Sequence, residues 1–458
     1  MANCPRAFIR AIPCDQTVFQ RVEVSAVRPK QLSEMRMIAI SLAYPPLAYP
    51  RSIQVARLLK YAGIETALFC ADEPDARADA TIEEEPDKFL EYCERVPVRQ
   101  SGLSRWIDRL SYRFYKAHWK KRNLTPDPYL GWKGDVLSSV GEFISTVEFR
   151  PDIIVSFAQP FTDHLIGMEL KRRYGLPWLA HFSDPWVDNP FSPYDEQAKK
   201  HNLELERAVV EAADLLVFTS NETVDLVFSK YPDQLRDKAR VLPQCFDGAR
   251  FGNSGRGPGG EILIRYLGNF YGNRTAGPLI SALERLCRLD AESIRNVRFE
   301  LVGPGNAEEV GRLASGLPDG LVSARPGVGY QESLEMMSGA DGLMVIDAPA
   351  KLSVFLPSKL IDYIGAGRPV LGITPPGAAR SLIEELGGMV TDPDHPERAA
   401  ESIRSFIREL SERRSRGLVD PWGDRTVRER YSAETIASGF RSLIEPLAAG
   451  PKNGSETS

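Results

Sequence analysis

Short apolar segments alternate with amphipathic helical segments along most of this 458-residue sequence. A strand, a helix and a second strand of this kind form a βαβ unit, whose strands lie parallel in one sheet with helices on its faces. The alternation stops once, at residues 248–260, which contain six glycines and few apolar residues and are therefore typical of a linker. The pattern predicts two doubly wound, Rossmann-like α/β domains joined by a Gly-rich segment.

The boundaries of these domains follow from the first and last predicted strands. The first domain is predicted to span residues 35–247 and the second residues 261–425, on either side of the linker. Residues 426–450 are expected to form a C-terminal helix that returns to the first domain. Neither end of the chain shows clear periodicity, so residues 1–34 are expected to be an extension and 451–458 a disordered tail.

The predicted elements were assigned from apolar runs of strand length and from helical spacing of apolar residues. The predicted strands are residues 37–42, 64–70, 153–157, 178–182 and 215–219 in the first domain, and 262–267, 298–302, 343–346 and 370–373 in the second. The clearest predicted helices are residues 163–174, 203–213, 278–289 and 332–337.

Composition excludes several classes of protein. The formal net charge of -5 argues against general binding of nucleic acid. The six cysteines include no CxxC pair and the five histidines show no metal-ligand spacing, so neither a disulfide framework nor a zinc site is expected. No apolar run approaches the roughly 18–20 residues that span a bilayer, and the N-terminal segment lacks the apolar core of a signal peptide. We expect a cytoplasmic protein without a metal or a cofactor.

The segment 355–373, FLPSKLIDYIGAGRPVLGI, predicts a helix whose N-terminus points back at the end of the preceding strand. Ser358 is the predicted N-cap. A helix N-terminus at the carboxyl edge of a parallel sheet suits an anion such as a phosphate, and Lys359 adds positive charge. Asp362, one turn later, can accept hydrogen bonds from sugar hydroxyls. The alternative is one more helix packed on a sheet, with Lys359 and Asp362 solvated.

Residues 99–122 differ from their surroundings because eight Arg or Lys residues are interspersed there with aromatic and apolar ones. On a helical wheel, Trp106, Leu110 and Phe114 form one apolar stripe flanked by cations. Such a helix is typical of contact with an anionic membrane surface. The alternative is a helix packed on its own domain with a solvated basic face.

Several short motifs, taken in their order and spacing, resemble the bacterial glycosyltransferases of family 4 type that have the GT-B fold. The motifs are Ala43-Tyr44-Pro45-Pro46, Arg150-Pro151-Asp152, Phe182-Ser183-Asp184-Pro185-Trp186, Tyr266-Leu267-Gly268-Asn269, Leu301-Val302-Gly303, Ala340-Asp341 and Leu356-Pro357-Ser358-Lys359. The resemblance runs from about residue 37 to about residue 447 and implies two Rossmann-like domains that face each other across a cleft.

The resemblance implies transfer of a sugar, of hexose type, from a nucleoside diphosphate sugar to an acceptor hydroxyl. It also implies retention of configuration, independence of metal ions, and a lipid-linked or polysaccharide acceptor in cell-surface glycan synthesis. A different hypothesis is a catalytically silent GT-B protein that binds a nucleotide or a partner. A sugar-nucleotide epimerase or phosphorylase of the same fold is a weaker third.

On the donor side, the resemblance implies that Arg274 holds and neutralises the leaving diphosphate. Here the basic residue that usually follows the first glycine of the second domain is replaced by Asn269, for which Lys359 or Arg51 would compensate. Asp362 matches a ribose-binding glutamate, whereas the donor-sugar glutamate is replaced by Val354. The full set of implied donor-binding residues is Gly268, Asn269, Arg274, Gly303, Gly329, Ser358, Lys359 and Asp362.

On the acceptor side, Asp184 follows a predicted strand and is placed to orient or deprotonate the attacking hydroxyl, so Asp184 and Arg274 are the expected catalytic residues. Asp before Pro-Trp is also a common turn, which is the alternative. The loop with Pro46 and Arg51 is expected to contact the diphosphate, through the Arg51 side chain in place of the family's glycine pair, unless Arg51 is a surface residue. His181 is expected to be buried and hydrogen-bonded.

Overall fold

The structure is a computed structural model that describes residues 35–47, 49–72, 90–98, 125–191, 194–252 and 260–450. Three of the predictions made above fall on residues outside these ranges. They are the extension 1–34, the basic aromatic segment 99–122 and the tail 451–458. Of the predicted linker, residues 253–259 also lie outside.

The first domain is built on a sheet of seven described strands, all parallel, in the order β3-β2-β1-β4-β5-β6-β7. Its strands are β1 (Arg36–Ile40), β2 (Glu65–Asp72), β3 (Tyr92–Pro97), β4 (Ile153–Ala158), β5 (Trp178–Phe182), β6 (Leu215–Phe218) and β7 (Ala239–Val241). Its helices are Pro50–Ala62, Trp132–Thr146, Thr162–Tyr174, Glu196–Ala212, Asn221–Phe228 and Asp233–Arg236.

The second domain repeats this plan with six described parallel strands in the order β10-β9-β8-β11-β12-β13. Its strands are β8 (Ile262–Leu267), β9 (Val297–Val302), β10 (Val322–Arg325), β11 (Gly342–Ile346), β12 (Val370–Ile373) and β13 (Met389–Thr391). Its helices are Gly277–Leu289, Ala307–Leu313, Tyr330–Ser338, Ser358–Ala366, Ala378–Glu385, Pro396–Ser415 and Arg425–Arg430. Short 3-10 turns occupy Gly248–Arg250, Ala291–Ile294 and Ala314–Gly316.

Each sheet has an apolar core on both faces, because successive side chains of a strand point to opposite sides. In β1, Ile38 and Ile40 belong to one core, and Met37 and Ala39 belong to the other. In β11, the same alternation sends Met344 and Ile346 to one face and Leu343 and Val345 to the other. Parallel strands buried on both faces read as continuous apolar runs, which is why the sequence showed them clearly.

The last helix, Ala433–Ala448, packs on the first domain although it follows the second in sequence. Ile436 and Phe440 lie in the same apolar core as Val55 of the Pro50–Ala62 helix. Arg441 Nη1 donates to the carbonyl oxygen of Ala62, at 2.8 Å. The chain therefore crosses between the domains a second time before it ends. No helix in the described ranges is long and apolar enough to cross a membrane.

The predicted α/β fold is confirmed, and the differences lie at the sheet edges and helix ends. β3 and β7 were not predicted, because both are edge strands whose residues are only partly buried, so their sequences lack an apolar run. The helix predicted over 203–213 begins at Glu196 instead, where Asp195 accepts a capping hydrogen bond from Ala198 N at 2.8 Å. The first turns of this helix consist mainly of polar residues, so a search for apolar residues at helical spacing did not detect them.

Gly377 precedes the Ala378–Glu385 helix with φ 134° and ψ -166°, a backbone region that only glycine adopts readily. A Cβ at this position would overlap the carbonyl oxygen of Ser353, which also accepts a hydrogen bond from Ala378 N at 3.1 Å. We therefore expect Gly377→Ala to lower the free energy of unfolding by about 3 kcal/mol or more. The measurement is urea unfolding of the purified variant.

Gly387→Ala is the matched control. Gly387 also has a positive φ, 88°, but its Cβ would meet no described atom within 4 Å. Gly387→Ala should lower the free energy of unfolding by only about 1 kcal/mol, through backbone strain. Equal losses for the two variants would contradict the overlap at Ser353.

Candidate functional site

The second domain has a crevice where the strand order reverses between β8 and β11. The connections from these two central strands run to opposite sides of the sheet, which leaves a gap outside their carboxyl ends. Gly268 directly follows β8 and Asp347 directly follows β11, so both lie at the gap. Open α/β sheets bind their ligands at such positions.

Glycines line the floor of this crevice. Gly268 has φ 135° and its Cβ would overlap Lys359 Nζ, so a side chain at this position would displace the lysine. Gly303, which follows β9 with φ 73°, would place a Cβ 3.2 Å from the Cα of Gly327. Gly268 and Gly303 are among the donor-binding residues that the family resemblance implies, and their positions suit close approach of a ligand to the backbone. Gly327 was not singled out, although its place after β10 is the signal that would have found it.

Arg274 forms a buried ion pair with Asp347 across the crevice. Its Nη2 and Nε atoms both donate to Asp347 Oδ1, at 2.6 and 3.1 Å, and only 4% and 3% of the two side chains are exposed. The guanidinium also lies 4.6 Å from the centre of the Tyr271 ring. Burial alone would lower the pKa of Arg274, but Asp347 and Tyr271 outweigh it, and the pKa is raised. Arg274 therefore remains a cation.

Lys359 is the second cation of the crevice. Its Nζ donates to the hydroxyl of Tyr266 at 2.7 Å and lies 3.9 Å from the centre of that ring. Burial, and then the charge of Arg274, hold the pKa of Lys359 well below its usual value. An anion bound between the two cations would reverse this shift and favour the charged ammonium. Tyr266 was not a predicted site residue.

Ser358 is the first residue of the Ser358–Ala366 helix, and its predicted role as N-cap is wrong. The capping position is Pro357, and no side chain caps this helix. The reason is that the Leu356-Pro357 segment is already extended, so the helical turn begins one residue earlier than a capping serine would require. Ser358 still lies at the helix N-terminus, next to Lys359.

Asp347 organises the loop that follows β11. Its Oδ1 accepts a third hydrogen bond, from Ala348 N at 2.8 Å, and its Oδ2 accepts one from Ser353 Oγ at 2.8 Å. The carboxylate thus holds Arg274 on one side and the loop on the other. Asp347 directly follows the predicted strand 343–346, but the sequence pattern assigns it no role, because its partner Arg274 lies 73 positions earlier.

Asn269 lies exposed at the rim, with its side chain over Gly305. A hollow of about 460 Å³ opens here between the loops that follow β8 and β9, and Asn269 and Arg274 both line it. Gly329 lies further along the edge as the residue before the Tyr330–Ser338 helix, and its carbonyl accepts from Ser333 N at 2.9 Å. The structure thus brings Gly268, Arg274, Gly303 and Lys359 together and places Asn269 beside them.

Asp362 faces the first domain. Its Oδ1 accepts from Arg57 Nη2 at 2.8 Å, and Arg57 Nη1 donates to the carbonyl of Cys245 at 2.7 Å. The Arg57 guanidinium lies 5.4 Å from the centre of the Tyr330 ring. Burial raises the pKa of Asp362, and Arg57 opposes this effect without cancelling it. The ribose contact assigned to Asp362 stays a prediction; in this conformation Arg57, which was not predicted, is its partner.

A second contact between the domains holds the loop that precedes Ser358. Ser220 Oγ and Thr223 Oγ1, at the N-terminus of the Asn221–Phe228 helix, both donate to the carbonyl oxygen of Val354, at 2.8 and 3.1 Å. Nearby, Phe191 of the first domain packs 5.0 Å from Phe355 and 5.2 Å from Tyr271, measured between ring centres. The first domain therefore touches both loops that carry the donor-side residues.

In the first domain, Arg51 is buried, and the alternative that it is a surface residue is wrong. Its Nη2 donates to the carbonyl of His181 at 2.8 Å and lies 3.0 Å from His181 Nδ1. His181 is buried and hydrogen-bonded as predicted; burial, then Arg51, hold its pKa well below the usual value, so its ring is neutral. Burial lowers the pKa of Arg51 to about 10, against the opposing charge of Asp184.

Asp184 lies two residues beyond β5. Its Oδ2 accepts from Ser183 Oγ at 3.1 Å and from Gln159 Nε2 at 3.5 Å. Burial raises the pKa of Asp184, and the Ser183 hydrogen bond and Arg51 oppose the rise. A carboxyl group with a raised pKa is a better proton acceptor than an ordinary aspartate. Pro46 lies in the turn after β1, where Arg95 Nη2 donates to the carbonyl of Pro45 at 2.6 Å. Arg51, Asp184 and Pro46 thus share the carboxyl edge of the first sheet.

No group of three or more His, Cys, Asp or Glu side chains within the described ranges is arranged to hold a metal ion. The charged groups of the crevice are instead Arg274, Lys359 and Asp347. Two basic side chains at a crevice edged by glycines suit an anionic ligand.

Two doubly wound parallel sheets, joined through a glycine-rich segment and crossed back by a C-terminal helix, define the GT-B class of fold. Solved structures match this architecture over nearly their whole length. The HepE protein of Anabaena, solved with UDP and glucose, is 14% identical, with a TM-score of 0.59 over 90% of this chain and 100% of HepE. The sucrose-phosphate synthase of Thermosynechococcus elongatus is 17% identical, with a TM-score of 0.61 over 91% of this chain and 99% of that one.

A third similar structure is WaaB, a lipopolysaccharide outer core galactosyltransferase, at 13% identity and a TM-score of 0.53 over 90% of this chain and 99% of WaaB. Residues 50–244, within the first domain, match the family model of the glycosyl transferase 4-like domain. No curated protein matches the chain by sequence. The chain therefore has the GT-B fold, and its first domain is similar to the glycosyl transferase 4-like domain.

The ion pair between Arg57 and Asp362 leads to a prediction about the stability of the whole chain. Only 4% of the Arg57 side chain and 11% of the Asp362 side chain are exposed. Removal of one partner therefore leaves the other charge buried without its counter-charge. We expect Asp362→Asn to lower the free energy of unfolding by about 3 kcal/mol, and Arg57→Met combined with it to lose less than the sum of the single changes. Urea unfolding of both single variants and the double variant measures this coupling.

The control is the exposed pair Arg295 and Glu292, in which 77% and 79% of the side chains are exposed. Its loss should leave the unfolding transition unchanged, because exposed pairs contribute little. Additive losses for Arg57 and Asp362 would show that the pair does not couple the domains.

Proposed function

We propose that this protein is a glycosyltransferase of the family 4 type that moves a sugar from a nucleoside diphosphate sugar to an acceptor hydroxyl. The donor diphosphate is bound in the crevice between β8 and β11. The observation that carries the proposal is the pair of cations, Arg274 and Lys359, above a floor formed by Gly268 and Gly303. A backbone without side chains lets a diphosphate approach closely, and two cations match its charge.

The chemistry asked of the crevice is stabilisation of the leaving group. As the bond between sugar and diphosphate breaks, negative charge grows on the diphosphate oxygens, and fixed cations near those oxygens lower the barrier. Arg274 is preorganised for this task because Asp347 and Tyr271 hold its guanidinium in place. Two side-chain cations do the work that a divalent ion does in other transferases, so we propose a metal-independent reaction with no resident cofactor.

The similar structures support a nucleotide sugar as the donor. HepE was solved with UDP and glucose and with UDP-glucose, and WaaB is named as a galactosyltransferase that acts on lipopolysaccharide. We accordingly propose that a hexose is transferred, with retention, to a lipid-linked or polysaccharide acceptor of cell-surface glycan synthesis. Asp184, on the edge of the first sheet, is proposed to orient or deprotonate the acceptor hydroxyl.

Binding and transfer test the donor assignment. We expect one of UDP, GDP, dTDP or CMP to bind the wild type in a calorimetric titration, and the matching sugar nucleotides to be turned over in the presence of EDTA. Arg274→Ala should weaken nucleoside diphosphate binding by about 10² and Lys359→Ala by about tenfold, because each removes a charge-assisted contact to the diphosphate. The NMR coupling constant of the anomeric proton of the product distinguishes retention from inversion.

The matched control is Arg295→Ala. Arg295 is an exposed arginine just before β9, at the amino edge of the same sheet, so its loss should leave binding and turnover unchanged. Binding of a nucleoside diphosphate without turnover of any sugar donor would contradict transfer and favour a silent binding protein. Equal binding by the wild type and Arg274→Ala would contradict the site.

We further propose that residues 99–122 dock the enzyme on the cytoplasmic face of a membrane, where a lipid-linked acceptor would be presented. This proposal rests on the sequence, since the segment lies outside the described residues. We expect the protein to float with vesicles that contain phosphatidylglycerol and not with purely zwitterionic ones. Reversal of Lys116, Lys120, Lys121 and Arg122 to Glu should lower vesicle affinity by more than 100-fold, at about 1 kcal/mol for each cation lost.

The control reverses four exposed arginines elsewhere, Arg398, Arg404, Arg408 and Arg416, and so changes the net charge equally. It should retain vesicle binding if the location of the charge matters. Equal loss in both variants would show a nonspecific charge effect and contradict docking through this segment.

A further inference from the structure

The carboxylate of Asp347 is an anion placed inside a site for anions. It accepts two hydrogen bonds from Arg274, the side chain assigned to the donor diphosphate, and it also acts electrostatically on Lys359. With Lys359 protonated, the crevice holds two positive charges and one negative charge. Asp347 also holds the loop after β11, by accepting hydrogen bonds from Ser353 Oγ and Ala348 N. A neutral acceptor would be sufficient for that structural role.

The substrate and the product of a glycosyl transfer differ in charge at this point. The diphosphate of a sugar nucleotide is esterified at both ends and carries two negative charges. After the sugar leaves, the terminal phosphate can lose a second proton, with a pKa of about 6. Above that pH the diphosphate carries three negative charges. A fixed anion beside the diphosphate therefore repels the product more strongly than the donor. The extra repulsion amounts to about fivefold in affinity for one unit charge about 8 Å away at an effective dielectric constant of about 40.

We propose that Asp347 is a positioning residue with a second effect: it holds Arg274 and selectively weakens binding of the nucleoside diphosphate product, which speeds its release. This inference rests on the proposed function of the crevice. In the crevice without a ligand, Asp347 is paired with Arg274, so Arg274 is not an uncompensated buried cation. Asp347 therefore raises the ratio of donor affinity to product affinity.

The chain offers a charge-matched control on the same strand. Asp341 directly precedes β11 and Asp347 directly follows it, so the two carboxylates lie about 20 Å apart at opposite edges of the sheet. Asp341 Oδ2 accepts from Leu263 N at 2.8 Å, a backbone contact that asparagine preserves. Asp347→Asn and Asp341→Asn thus remove the same charge, and only the first removes it from the crevice.

The experiment compares the dissociation constants of the nucleoside diphosphate and its sugar donor in the wild type, Asp347→Asn and Asp341→Asn by calorimetry at pH 8. In Asp347→Asn we expect the affinity for the product to rise about fivefold more than the affinity for the donor, with stronger product inhibition. Asp341→Asn and Ser353→Ala should keep the wild-type ratio. A purely structural role of Asp347 would move both constants together.

Three results would overturn the inference: an unchanged ratio in Asp347→Asn, equal weakening of both ligands, or the same change of ratio in Asp341→Asn. If Asp347→Asn does not melt cooperatively, Asp347→Ser, which leaves room for a water molecule, is measured in the same way. Failure of the wild type to bind any nucleoside diphosphate is a different result, since it removes the donor assignment itself.

Discussion

All described strands of both sheets run parallel, and this single constraint places the functional residues. Parallel strands bring their carboxyl ends to one edge, so residues far apart in sequence meet simply because each follows a strand. Gly268, Gly303, Asp347 and Asp184 all lie within two residues of a strand end. The helices that return the chain to the other edge carry Arg51 and Lys359 near their N-termini. The site is thus a consequence of strand direction before any side-chain chemistry is added.

Within the donor crevice, the balance of charge is the property that the structure adds. Arg274 would be costly to bury alone, and Asp347 compensates it at 2.6 Å. Lys359 has no carboxylate partner at such a distance among the described ion pairs, and its lowered pKa reflects both burial and the neighbouring Arg274. The crevice thus contains Arg274 paired with Asp347, and a lysine whose charged form is disfavoured by burial. Under the proposed function, a bound diphosphate favours the charged form of Lys359, which couples proton uptake to binding.

The two domains are held together by contacts that bear directly on this crevice. Arg57 bonds to Asp362, one turn after Lys359, and Ser220 and Thr223 hold the carbonyl of Val354, in the loop between Asp347 and Lys359. Val354 occupies the position at which the family resemblance implies a glutamate for the donor sugar. In this protein the backbone carbonyl of Val354 accepts hydrogen bonds from Ser220 and Thr223 of the first domain. The contacts between the domains therefore hold the loop and the helix that carry Val354 and Lys359.

The sequence by itself determined the fold class and most central elements, because strands buried on both faces and helices with one apolar stripe leave periodic patterns. β5, β8 and β12 lie at their predicted residues. Edge strands β3 and β7, the start of the Glu196–Ala212 helix and the cap before Ser358 did not follow from pattern, since partial burial and polar first turns erase periodicity. Only the tertiary structure decided the partners: Arg274 with Asp347, Arg57 with Asp362, Arg51 with His181. Each pair spans 73 to 305 positions, and which charges are buried together depends on the packing of whole elements.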